Sequence, residues 1–152
     1  MSKKMLWSTT LTDGIGRGLV VTAFVVLAFM AFSARADAAS CWGDWCSGTD
    51  PRATGCDIGA RSVASARIPG TWAYIELYWS PTCKTNWARV PVSWGSYYPW
   101  QLRAVQCLTN YTQSGVVASN ATHSWTRQIY SPVKRVRAEW VGQPGSVATA
   151  CG

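Results

Sequence analysis

Six cysteines restrict this chain more than any other feature. Cys41, Cys46, Cys56, Cys83, Cys107 and Cys151 all lie beyond residue 38, behind an apolar N-terminal stretch. An even number of cysteines in an exported chain reads as a disulfide frame, here of three bonds. Four cluster in the N-terminal half of the exported part, and two lie further on. The expected pattern joins Cys107 to Cys151 and pairs the first four among themselves. Zinc is the competing use of such thiols. Only one histidine, His123, accompanies them, and oxidised sulfur does not ligate zinc, so neither a metal nor a cofactor is expected.

Export is read from residues 1–38. Lys3, Lys4 and Arg17 precede Leu19 to Phe32, an uncharged apolar run of 14 residues. That is shorter than the roughly 20 residues of a membrane span. Ala34-Arg35-Ala36 and Ala36-Asp37-Ala38 both suit signal-peptide cleavage. The expectation is a signal peptide over 1–38, cut after Ala36 or Ala38, and one disulfide-rich domain over 39–152. Such a protein is secreted and keeps no stable membrane insertion after cleavage.

Beyond residue 38 the chain holds ten Lys and Arg against five Asp and Glu, a net charge of +5. This favours acidic partners or serves solubility alone. All three Phe and all three Met fall in the leader, whereas nine Trp and six Tyr follow it. Trp and Tyr join a large apolar body to a polar tip, which suits both small cores and partly wet interfaces. Nine Trp in so short a domain leave several for a surface.

Thr71 to Val90 is the best-defined stretch. Ala73, Ile75, Leu77 and Trp79 alternate with Trp72, Tyr74, Glu76 and Tyr78. Alternation places the first set on a dry face and the second on an amphipathic one. Ser80-Pro81-Thr82 turns the chain, and a second strand over Trp87–Trp94 follows, with Pro91 at a bulge or edge. Further strands are expected at Ser62–Ile68, joined to Trp72–Trp79 by a Pro69-Gly70 turn, and at Trp100–Cys107, Tyr111–Ser119, Trp125–Tyr130, Val133–Val141 and Val147–Cys151. Cys41 to Cys56 has turn formers throughout, and Asp50-Pro51 is a turn-starting pair. The fold class is all-β, a small disulfide-stabilised antiparallel barrel or sandwich.

Cys41-x-Gly43-x-x-Cys46-x-Gly48-x-Asp50-Pro51-x-Ala53-Thr54-Gly55-Cys56, Glu76-Leu77, Ser80-Pro81-x-Cys83 and Trp87-Ala88-Arg89-Val90 resemble the YjfA-like secreted proteins of Gram-positive bacteria, a domain of unknown function. The resemblance is strong over Cys41 to Val90 and weaker onward to Cys151. Leu77-Tyr78-Trp79-Ser80 departs from the family's Leu-Arg-Tyr-Ser, so a role for that Arg does not carry over. The resemblance implies export, disulfides and no established enzyme activity. Some small secreted proteins of this appearance are adaptors within large exported antibacterial toxin assemblies.

Catalytic groups are few. The exported part has one His, two Glu and three Asp, and no Gly-x-Ser-x-Gly context is present. His123 falls in an expected loop. Glu76, among Trp72, Tyr74 and Tyr78, reads as an ion-pair partner of Arg89 or Arg137. No enzyme is expected. The candidate binding residues are Trp72, Tyr74, Glu76, Tyr78, Tyr97 and Tyr98, and the expected partner is another secreted protein. A cell-wall polymer, or a target of an inhibitor or antimicrobial, are the alternatives; nucleic acid is not expected.

Overall fold

A computed structural model describes residues 38–91, 101–116, 118–119, 122–143 and 145–152. The leader up to Asp37, and Tyr97 and Tyr98, lie outside the described residues. Ten strands run in order: β1 Arg61–Arg67, β2 Tyr74–Ser80, β3 Thr85–Pro91, β4 Gln101–Gln106, β5 Thr112–Ser114, β6 Ala118–Ser119, β7 His123–Trp125, β8 Ile129–Tyr130, β9 Val136–Val141 and β10 Val147–Ala148. A 3-10 turn, Gly43–Cys46, precedes them.

The strands form two antiparallel sheets. The first has the order β1-β2-β3-β7-β6, with β8 also pairing β3; the second has the order β10-β9-β4-β5. Both contribute to one core: Ile75 and Leu77 from β2, Ala88 and Val90 from β3, Leu102 and Ala104 from β4, and Ala138 and Trp140 from β9. Among the described residues the two sheets share this core, and no closed barrel forms. Its driving force is burial of apolar side chains at about 25 cal/mol per Å².

The alternation in β2 holds. Ile75 and Leu77 are fully buried, whereas Tyr74 is exposed and Glu76 and Tyr78 are half-buried. Ala73 and Trp79, expected on the dry face, are only half-buried. Both sit toward the ends of the stretch; Trp72 precedes the strand and is exposed. The turn between β1 and β2 forms as expected at Pro69-Gly70, with Gly70 at φ 70°. The Thr71 hydroxyl donates to the Ile68 carbonyl at 2.9 Å and closes it. Pro91 ends β3, an interior strand, opposite His123 of β7, so it sits at a strand end rather than at a sheet edge.

Two expected strands are divided. Tyr111–Ser119 separates into β5 and β6, which join different sheets; Gly115, at φ 81°, lies between them. Trp125–Tyr130 separates into β7 and β8, both paired with β3, because Gln128 turns away to the N-terminal loop. The Thr126 amide donates to Ala88 O at 3.0 Å, and the Gln128 amide to Thr49 O at 3.0 Å.

The disulfides are Cys41–Cys46, Cys56–Cys83 and Cys107–Cys151. The last is the expected pair, and the first four do pair among themselves. Cys56–Cys83 fastens the N-terminal loop to the turn between β2 and β3. Cys46, Cys56 and Cys83 form a second small buried cluster there. The loop is also held by a polar hub. Gln128 is fully buried, accepts from the Thr85 hydroxyl at 2.7 Å, and donates to the hydroxyls of Thr49 at 2.8 Å and Thr54 at 3.0 Å. A buried amide with each end bonded avoids the desolvation cost of an unmade bond.

Cys56–Cys83 spans 27 positions and Cys41–Cys46 only 5. In the chain-entropy account, removing them as Ala pairs costs about 3.5 and about 2 kcal/mol respectively. Urea unfolding of the two double variants checks that order.

Candidate functional site

The site grows from the register of three neighbouring strands. Glu76 of β2 stands opposite Arg89 of β3, and Arg89 stands opposite Trp125 of β7. Tyr78 pairs with Trp87, and Pro91 with His123. Because facing residues share a face, these side chains lie on the side of the sheet away from Ile75, Leu77, Ala88 and Val90. This side is not bare. The disulfide loop approaches it, and Arg52, Asp57 and Ala60 complete a pocket of about 380 Å³ with Tyr78, Trp87, Arg89, Thr122, His123 and Trp125. Ligand pockets run from about 300 to 1,000 Å³, so this one is at the small end.

Local chemistry explains how the loop is aimed. Asp50 accepts the Arg52 amide at 3.0 Å, the two-residue turn expected of Asp before Pro. The same Oδ1 accepts the Trp125 indole N–H at 2.9 Å. One carboxylate oxygen thus shapes the turn and docks it onto β7. The Arg127 side chain adds a bond to Gly48 O at 2.8 Å.

The two arginines of the pocket are held alike. Arg52 lies over the Trp125 ring at 5.3 Å and beside Asp57, 3.4 Å from Nε to Oδ2. Arg89 lies over the Tyr78 ring at 4.7 Å, donates from Nη1 to Tyr78 Oη at 2.8 Å, and has Glu76 Oε2 at 3.8 Å. Tyr78 in turn stacks on Trp87, centroids 5.7 Å apart and planes 28° apart. Ring contacts of this kind contribute about 0.5–1 kcal/mol each to holding a guanidinium in place.

Burial raises the Tyr78 hydroxyl pKa above its ordinary value; Glu76 adds to the rise and Arg89 opposes it. His123 moves the other way. Burial lowers its pKa below 6.5, and the charge of Arg89 lowers it further. The imidazole is therefore neutral at pH 7, and Nδ1 shares a 2.8 Å hydrogen bond with the Thr122 hydroxyl.

The expected binding face is divided by this geometry. Tyr78 lines the pocket, and Glu76, outside the lining, is the ion-pair partner of Arg89, while Arg137 pairs with Glu139 at 2.7 Å instead. Trp72 and Tyr74 stay outside it, 88% and 50% exposed. His123, expected in a loop, is the first residue of β7 and lines the pocket. Arg52, Asp57, Trp87 and Trp125 were not among the candidates. Parity along β3 would place Trp87 with Arg89, but no local signal brings Arg52 and Asp57 to them.

The sulfurs of Cys41, Cys46, Cys56 and Cys83 lie within 4.8 Å of one another. As two disulfides they offer no thiolate, the form that zinc requires. Among the described residues no helix is long and apolar enough to cross a membrane.

The lowered His123 pKa sets a testable pH response. Its folded-state pKa lies below the unfolded 6.5, so the unfolded chain binds more protons as the medium acidifies. This contribution to stability is present above pH 6.5 and is lost as pH falls toward the folded pKa. Ring resonances followed by NMR are expected to titrate below 6.5 in the folded protein, and Arg89→Gln should move that midpoint upward.

Neither the curated proteins nor the solved structures contain a match to this chain. The DUF2690 family, described as a protein of unknown function, matches residues 44–138. That span runs from the disulfide loop through β1, β2 and β3 to the middle of β9, and includes every residue of the pocket. The chain belongs to the DUF2690 family.

Proposed function

We propose that this protein is a secreted, non-catalytic binding module whose partner is another exported protein. The observation that carries the reading is the exposure of three tryptophans, Trp42 at 82%, Trp45 at 84% and Trp72 at 88%. Large aromatics are among the residues a monomer most gains by covering, and Trp is enriched among the residues that dominate protein interfaces. Two of the three lie between Cys41 and Cys46, inside the loop their bond closes, and Trp45 is part of its 3-10 turn. An anchor fixed beforehand loses little conformational entropy on binding.

Three disulfides and the expected signal peptide support export. The likeness to YjfA-like secreted proteins supports an adaptor role within a larger exported antibacterial assembly. The thin acid–base inventory supports a role without turnover: beyond residue 38 the chain has one His, two Glu and three Asp. The net charge of +5 suits a partner with an acidic surface.

Capture from culture supernatant on the immobilised secreted domain tests this. A stoichiometric protein partner is expected, and W42A/W45A should weaken its binding by about 2 kcal/mol or more, roughly thirtyfold, as interface anchors do. A domain that captures purified wall polymer instead, and no protein, would falsify the reading.

A further inference from the structure

The pocket behind the disulfide loop has an unspent resource. Arg52 and Arg89 are each laid on a ring and each has a carboxylate beside it, yet neither pair is close. The Nε to oxygen distances are 3.4 Å to Asp57 and 3.8 Å to Glu76. A two-pronged guanidinium–carboxylate pair closes to about 2.8 Å. The Nε of Arg89 is buried and finds no hydrogen-bond acceptor among the described residues. A guanidinium carries five donors in a planar fork. Nη1 of Arg89 is taken by Tyr78 and its Nε has no exposed surface, so the donors open to the pocket are the remaining Nη edge of Arg89 and the half-exposed fork of Arg52.

We propose that this pocket is a receptor for one carboxylate, presented by an acidic side chain of a protein partner. The choice of a protein source rests on the binding-module reading above; the anion chemistry rests on the pocket alone. A carboxylate matches a planar fork and brings a single charge. A phosphate dianion would bring a second negative charge against Asp57, which lines the pocket, and like charges oppose it. A uronic acid would need a ring face on which its pyranose could lie. The faces are taken: Arg52 covers Trp125, Arg89 covers Tyr78, and Tyr78 stacks on Trp87. Trp87 and Trp125 are 3% and 5% exposed. A short acidic side chain needs no such platform.

The test uses the whole secreted domain, isotope-labelled, and follows the Trp125 indole N–H and the His123 ring by NMR. The probes are N-acetyl-glutamate N-methylamide, its glutamine counterpart, inorganic phosphate and glucuronate. Saturable shifts are expected with the glutamate probe and none with the glutamine one. Arg52→Gln, at a half-exposed side chain, should weaken binding at least tenfold while the rest of the spectrum stays unchanged. Asp57→Asn should tighten it severalfold, since it removes the resident competitor for Arg52. No saturable shift in the folded protein, equal response to the glutamine probe, weaker binding in Asp57→Asn, or tighter binding of phosphate or glucuronate would each overturn the proposal. No protein partner enters these titrations. Loss of capture with probe binding intact therefore removes the partner reading and leaves the carboxylate pocket standing.

Discussion

The Cys56–Cys83 bond determines what the rest of the molecule can do. On one side it holds a loop that has turns but no sheet of its own. On the other it holds the tight turn between β2 and β3 of the first sheet. Without that link the loop would be held to the sheet by non-covalent contacts alone, among them the hydrogen bonds of Gln128 and Asp50 and the stacking of Arg52 on Trp125. With it, β3 is buried on both faces. Ala88 and Val90 point into the shared core, while Thr85 and Trp87 are covered from the other side. A strand enclosed in this way is a rigid base on which to mount side chains.

The pocket exists because rigid parts meet there with unlike chemistry. The sheet supplies aromatic rings and one ion pair; the loop supplies a second ion pair and the carboxylate of Asp50. Each arginine is restrained by a flat ring beneath it and a carboxylate at its side. Surface ion pairs contribute only about 0–1 kcal/mol, so these contacts serve orientation more than stability. The cost of placing charge near buried groups is visible in His123, whose proton affinity burial and Arg89 both reduce.

Much of this architecture could be read along the chain. Alternation in Thr71 to Val90 located β2 and its two faces because a pleat repeats every two residues. Cysteine number and grouping anticipated the Cys107–Cys151 bond and the segregation of the first four. Asp50-Pro51 announced its turn. Less legible were the interruptions. Nothing in Trp125–Tyr130 signals that Gln128 would leave the strand to become the hub of a buried polar cluster, since its partners Thr49, Thr54 and Thr85 lie far away in the chain. His123 seemed a loop residue for the same reason: β7 is only three residues long and owes its extended form to pairing with β3.

Sequence alone decided the class of object: an all-β, disulfide-framed domain with more Trp and Tyr than a small core can absorb and few groups suited to turnover. Those properties follow from composition and short-range periodicity, which act within a few residues. Tertiary structure alone decided which rings are covered and which are bare, and it brought Arg52 and Asp57 to Arg89 and His123. These residues come from loop and strands separated by tens of positions. Their meeting depends on which cysteines join and on how a loop docks onto a sheet, and neither is encoded in any local pattern.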